Sequence, residues 1–167
     1  RFYHNTILLT DFRARRHYLG GLGGANYLTR RALLNNIFVA DGALGLCGID
    51  ASESRSFVAD GNLHWSRADG ADYKGDYLAD LRKPDRRGKS WFEESKASYA
   101  PGWTANDIFA DPRFASAPAT WRDPAGVRLG PDSPAVDKGV DVPADWPDAL
   151  RTADKGRPDI GCIPLGV

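Results

Sequence analysis

Methionine is absent from all 167 residues, and cysteine occurs only twice. Two cysteines, Cys47 and Cys162, are too few to hold a fold together by disulfides, and they show no metal-ligand spacing. No apolar run approaches the roughly 20 residues that a membrane-spanning helix requires, so no membrane span is expected. The N-terminus has no signal-like pattern. The run "GGLGG" (Gly20 to Gly24) lacks the Lys-Ser/Thr pair and the strand-to-helix setting of a phosphate loop, and no Gly-x-Ser-x-Gly elbow is present. Nucleic acid has no supporting motif, and no cofactor is expected. A chain without methionine that opens directly on the strand-like "RFYHNT" is expected to be a C-terminal piece of something longer. Its partner would then be the N-terminal remainder of that protein or a second processed chain.

What the chain does have is glycine and proline, 18 and 11 residues, a load that argues for many short strands joined by turns. Its length suits one domain. Net charge is zero but uneven: residues 1–40 hold Arg1, Arg13, Arg15, Arg16, Arg30 and Arg31 against Asp11 alone. Such a portion favours an anionic partner, or it is a solvated surface offset by the acidic remainder; both readings stand. If Cys47 and Cys162 pair, the closed loop would contribute about 4–5 kcal/mol by the loop-entropy account. Two separate buried thiols, packed as small hydrophobes, are the other reading.

Three phrases share one shape: "FYHNTILLT" from Phe2, "LLNNIF" from Leu33 and "FVADGNLHW" from Phe57. Aligning Asn5, Asn36 and Asn62 sets Thr6 on Ile37 and Leu63, Ile7 on Phe38 and His64, and Leu8 on Val39 and Trp65. The runs are strand-like in length and rich in β-branched and aromatic residues, with turn chemistry between them. One short strand motif per period and no regular helix suggest a coiled β-solenoid whose turns stack about 4.8 Å apart. An asparagine in an apolar run costs on the order of 1–3 kcal/mol unless it is hydrogen-bonded. In a stack, each carboxamide donates to one neighbour and accepts from the other. Asn36 is expected to be an inward rung, with Asn35 at the turn or facing out. His4 is expected to take a structural role or a turn contact, and His64 to point inward; a shift of one residue would put Trp65 inside instead.

From about Ser66 the pattern breaks into a charged, turn-rich excursion. A short helix is expected over Ser90 to Ala97, with Ser90 as N-cap and Glu93 completing a capping box. Tyr73, Tyr77, Trp91, Phe92 and Trp103 would anchor the excursion. The expected organisation is coils over 1–65, a flanking excursion over 66–104, and the last coils and C-terminal end of the same domain over 105–167.

The phrases "DIFADPRF" (Asp107 to Phe114), "VRLGPDSPAVDKGVD" (Val127 to Asp141) and "RPDIGCIPLG" (Arg157 to Gly166) resemble, in that order, the C-terminal end of right-handed parallel β-helix proteins of the pectate-lyase-like superfamily. "FYHNTI", "NNIF" and "NLHW" resemble its inner coils. The closing "GCIPLG" departs from the common ending, where a small residue, an aromatic and an acid stand. The resemblance implies an all-β, right-handed parallel β-helix, secreted or at the cell surface. In that superfamily the ending is shared by polysaccharide lyases, glycoside hydrolases, epimerases and non-catalytic surface proteins; if this chain is enzymatic, the resemblance implies a polysaccharide lyase or glycoside hydrolase whose catalytic residues stand mostly upstream of this fragment.

Fold alone does not fix activity. The most suggestive stretch is "DFRARRHYL", Asp11 to Leu19. Arg13, Arg15 and Arg16 could clamp the carboxylates of an anionic polymer, and His17 could act as general base, with Arg15 neutralising a uronate; a solvated or inter-subunit loop is the other reading. Asp137, Asp141, Asp154, Arg157 and Asp159 raise calcium, but they lack the spacing of a calcium loop; bonding of turn amides by the aspartates, Asp137 and Asp159 among them, and pairing of Arg157 with a carboxylate are expected instead. Two functions remain open: acting on or binding an acidic polysaccharide, and a non-catalytic extracellular scaffold or adhesion component assembled with other chains.

Overall fold

The short apolar runs separated by corner residues form short strands, none longer than four residues among the described residues. The structure, a computed structural model, describes residues 1–9, 16–19, 31–41, 43–46, 57–70, 83–116 and 124–166. In chain order the strands are β1 (Phe2–Tyr3), β2 (Thr6–Leu9), β3 (Arg16–Leu19), β4 (Arg31–Leu34), β5 (Ile37–Ala40), β6 (Ala43–Leu46), β7 (Phe57–Asp60) and β8 (Leu63–Ser66). Helix α1 (Trp91–Ser95) and strand β9 (Ile108–Phe109) follow, then a 3-10 turn at Pro124–Val127.

Among the described residues these strands pair only in parallel. Strands β1-β4-β7 make one sheet, β2-β5-β8-β9 a second, and β3-β6 a two-stranded pair. Thr6 pairs with Ile37 and Ile37 with Leu63; Ile7 pairs with Phe38 and Phe38 with His64. These are small parallel sheets with few helices, an α/β-like arrangement, and this overturns the expected all-β, right-handed parallel β-helix solenoid. The physical reason lies beyond β8. The one further strand among the described residues is the two-residue β9, and from 110 to 166 they hold turns, the 3-10 turn and an isolated antiparallel bridge, Phe114 to Leu129. Proline cannot donate to a ladder, and the proline-rich phrases in this stretch, read as last coils, cross the outside of the sheets instead.

Corners set the strand geometry. His4, Asn35 and Gly61 each precede a ladder asparagine and have positive φ, +52°, +55° and +65°. That left-handed conformation is costly for most side chains and natural for glycine and asparagine. At Gly61 a Cβ would sit 2.7 Å from Asn35 Oδ1, so the close approach also demands glycine.

The core is layered. Leu33, Phe38, Ala40, Phe57 and Ala59 pack together with Trp103, whose ring meets Phe57 edge-on at 5.2 Å. On the other faces, Ile37, Val39 and Leu63 meet Leu129, Ala135 and Ile160, while Ala32 and Leu34 meet Val140, Val142 and Trp146. The C-terminal segment is therefore the outer wall of both larger sheets. Asn35, 0 % exposed, fastens it: Nδ2 donates to Val140 O (2.8 Å), Oδ1 accepts from Val140 N (2.7 Å), and its carbonyl accepts from Gly161 N (2.9 Å). Asn35 stands at the turn but is covered, and its amide is repaid across 105 residues of sequence.

In the excursion, helix α1 is capped by Ser90, which accepts from Glu93 N at 3.2 Å. The Glu93 carboxylate pairs with Lys96 at 3.0 Å. Of the expected anchors, Trp103 is buried and Phe92 half-buried. Tyr73 and Tyr77 lie outside the described residues, as does the side chain of Trp91.

Candidate functional site

Two polar centres are built by these elements. The first is internal. Asn5 Nδ2 donates to Asn36 Oδ1 (3.0 Å) and Asn36 Nδ2 to Asn62 Oδ1 (3.0 Å). Each of the three also bonds a main-chain carbonyl nearby: Asn5 that of Tyr3, Asn36 that of Phe2, Asn62 that of Leu33. The row ends on Asp107, whose Oδ1 accepts from Asn62 N at 2.9 Å. Asp107 Oδ2 lies 2.8 Å from His64 Nε2. The His64 ring is stacked between Phe38 and Phe109, 5.3 Å from each. All of these polar groups except Asn5 are shut off from water, so the row holds the fold and offers no surface to a ligand.

A second internal knot ties the excursion to β7. Asp60, 0 % exposed, accepts from Tyr99 Oη (2.7 Å), Asn106 N (2.6 Å) and Asn106 Nδ2 (2.7 Å). Burial raises the Asp60 carboxyl above the ordinary range against the opposing pull of those three donors. The Tyr99 phenol is also pushed up, by burial first and by Asp60 second.

The second centre opens to solvent. A cleft of about 140 Å³ lies between the β1–β2 corner and the C-terminal wall, lined by His4, Asp141, Asp148, Arg151 and Asp154 with Val142 and Leu150. His4 is 9 % exposed, and neither ring nitrogen has a hydrogen-bond partner; Asp148 Oδ2 is 3.6 Å from Nε2. Burial lowers the His4 pKa, opposed by the charge of Asp148, by the nearby main-chain groups of Asp159 and Gly161 and by the charge of Asp154. Asp154 is raised, by burial and then by neighbouring Asp159 and Asp137, against the Asp159 N–H that donates to its Oδ2 at 2.5 Å. Arg151 donates to Pro143 O and Trp146 O, both at 3.0 Å, and so braces the wall.

The residues singled out from sequence fall in different places. Asn5, Asn36 and Asn62 are brought together in the row. Asp137 N donates to Asp159 Oδ1 (2.7 Å) and Leu165 N to Asp159 Oδ2 (2.7 Å), while Arg157 donates to the main-chain carbonyl of Gly139 (3.0 Å) rather than to the expected carboxylate; all three residues bind turns of the C-terminal segment. Cys162 is a free, half-buried thiol, and Cys47 lies outside the described residues. Arg13 and Arg15 also lie outside them. Arg16 and His17 belong to β3, where their backbone pairs with Ala43 and Leu44, but their side chains are not described. Among the described residues no cluster of three or more metal-ligating side chains occurs, and no helix is long and apolar enough to cross a membrane.

Sequence reasoning missed Asp107 as the end of the row, the Asp60 knot and the His4 cleft. The signal for Asp107 was an acid just before the apolar pair Ile108–Phe109, as asparagine stands before Ile37–Phe38. Comparisons with protein-family models, with curated proteins and with solved structures find no match for this chain.

Proposed function

We propose that the protein, secreted or at the cell surface, binds a polysaccharide, with the His4 cleft as the sugar contact. The observation that carries this reading is the grouping of Asp141, Asp148 and Asp154 around a cleft open to solvent. Carboxylates accept hydrogen bonds from hydroxyl groups, and charge-assisted bonds of that kind are the stronger ones. Three acids on one wall disfavour a uronate at this cleft, so the favoured ligand here is an uncharged, hydroxyl-rich stretch of glycan. The order of the phrases at Asp107 to Phe114, Val127 to Asp141 and Arg157 to Gly166, which resemble endings of polysaccharide-acting proteins, supports the same class. Binding is favoured over turnover because both nitrogens of His4 are buried and out of reach of a substrate proton.

A second reading, a non-catalytic scaffold assembled with other chains, is favoured by the spending of Asn36, Asn62, Asp60 and Asp107 on internal bonds. Sedimentation with a panel of neutral and uronate polysaccharides separates the two. Retention on a neutral glycan that Asp141→Asn together with Asp148→Asn abolishes is the expected result. Retention untouched by both substitutions removes the cleft from the reading, and no retention anywhere, with no unsaturated product, leaves the scaffold.

A further inference from the structure

We propose that the loop over 83–89 is a processing site, where a serine endoprotease selective for paired basic residues hydrolyses the Arg87–Gly88 bond and leaves a two-chain protein that stays associated. The pair is picked out by elimination. The sequence holds four adjacent basic pairs, Arg15–Arg16, Arg30–Arg31, Arg82–Lys83 and Arg86–Arg87. Arg16 opens β3 and Arg31 opens β4, level with Ala43 and Phe57 in parallel ladders. A protease of this class takes its substrate as an added strand, so a segment already paired in a sheet must first leave it. Lys83 is followed by Pro84, whose ring fixes φ and removes the N–H on the leaving side of that bond.

Arg86–Arg87 stands apart. All seven residues from Lys83 to Lys89 are exposed, and no described strand pairs with any of them. The loop closes on Asp85: its N donates to Lys89 O (2.8 Å), its O accepts from Gly88 N (3.0 Å), and its Oδ1 accepts from Arg87 N (2.7 Å) and Lys89 N (3.2 Å). The Arg87 guanidinium reaches Asp85 Oδ2 (2.7 Å) and Glu94 Oε1 (2.8 Å) with 61 % of its side chain still exposed. Exposed ion pairs hold a geometry weakly, and exposed loop tips are where nicking concentrates. Gly88 has a φ of +74°, and no atom lies within 4 Å of where a Cβ would stand. Glycine leaves the left-handed region without steric cost, so the residue after the bond can straighten into a protease cleft.

The step needs only water. Its hydroxyl goes to the Arg87 carbonyl carbon and its proton to the Gly88 nitrogen, and the new acid then passes its own proton to the new amine. The two products stay together because what joins them is buried and distant from the loop. Asn62 N bonds Asp107, Asp60 bonds Tyr99 and Asn106, and Trp103 Nε1 donates to Phe57 O (2.8 Å). Ile37 and Leu63 pack on Leu129, Ala135 and Ile160. Ser90 and the helix it caps fall in the same product.

The test treats the folded 167-residue chain with a subtilisin-type endoprotease selective for paired basic residues and reads the first products by intact mass. The expected result is one first cut, giving 1–87 and 88–167, which co-elute on gel filtration in buffer and separate in urea. Arg86→Gln leaves Arg87 and its contacts in place and should slow the cut by about tenfold or more. A first cut after Arg16, Arg31 or Lys83 overturns the proposal, as does no cut under conditions that cleave the urea-unfolded chain. Unchanged cutting of Arg86→Gln overturns the role of the pair, and products that part in buffer overturn the associated two-chain form.

Discussion

Asp107 Oδ2 stands 2.8 Å from His64 Nε2, and the two side chains are 1 % and 2 % exposed. The same carboxylate ends the asparagine row through Asn62 N. Removing one member of a buried, hydrogen-bonded pair takes a bond from each of its partners, here His64 and Asn62, at a cost of about 1–3 kcal/mol. Asp107→Ala is expected to lose that much in urea unfolding, and Asp107→Asn less, since an amide oxygen still accepts from Asn62. Equal losses for the two would show that the acceptor is immaterial.

The row itself is tested at Asn36, whose side chain accepts from Asn5 N and Nδ2 and donates to Phe2 O and Asn62 Oδ1. Asn36→Leu orphans several of these groups and is expected to cost about 3 kcal/mol. Asn36→Asp keeps the acceptor but sets a carboxylate against Asn62 Oδ1. Its deficit should shrink as pH falls and the introduced carboxyl becomes a donor. A deficit that does not change with pH would contradict the donor–acceptor order of the row.

How much of this was legible in the sequence is seen at particular residues. Spacing alone places Thr6 on Ile37 and Leu63, because a strand-and-corner unit repeated in the chain carries its register with it. The arrangement beyond the third unit was not legible. Short phrases matching a familiar order say which residues turn and which pack, but not whether they pair as strands, and here they lie as a wall across the sheets. Asn35 with Val140, His4 with Asp148 and Asp60 with Tyr99 join irregular segments that have no shared period, so no window of sequence holds both partners.

Tyr99 offers a cleaner test of the excursion than any of its apolar anchors. Tyr99→Phe keeps the ring and removes only the donor to Asp60, at an expected cost of about 1–2 kcal/mol in chemical denaturation. Burial raises Asp60 in the fold, so the folded state holds its proton more tightly than the unfolded chain. Its contribution is therefore full below the unfolded value of 3.8 and lost as pH rises through the higher folded value. The Tyr99 hydroxyl pulls Asp60 the other way, so Tyr99→Phe should extend that loss to higher pH. A profile parallel to that of the parent would place the hydroxyl outside the electrostatics of Asp60.

His4 gives the opposite sign. Its pKa is lowered in the fold by burial, so the unfolded chain binds the proton more readily below the ordinary value of 6.5. Stability tied to neutral His4 is present above 6.5 and is lost as pH falls through the folded value. The acids facing it, Asp148 and Asp154, limit that loss without reversing it, since burial is the larger cause. Asp154, itself raised, contributes in the other direction and in a lower window, upward from 3.8. His4→Asn removes the titration, suits the positive φ of +52° and leaves a side chain that can bond within the corner. The substituted protein should therefore lose less stability than the parent between pH 6.5 and 5, read as the difference between their urea midpoints at each pH. A difference that stays constant across that range would mean the parent's acid limb comes from other groups.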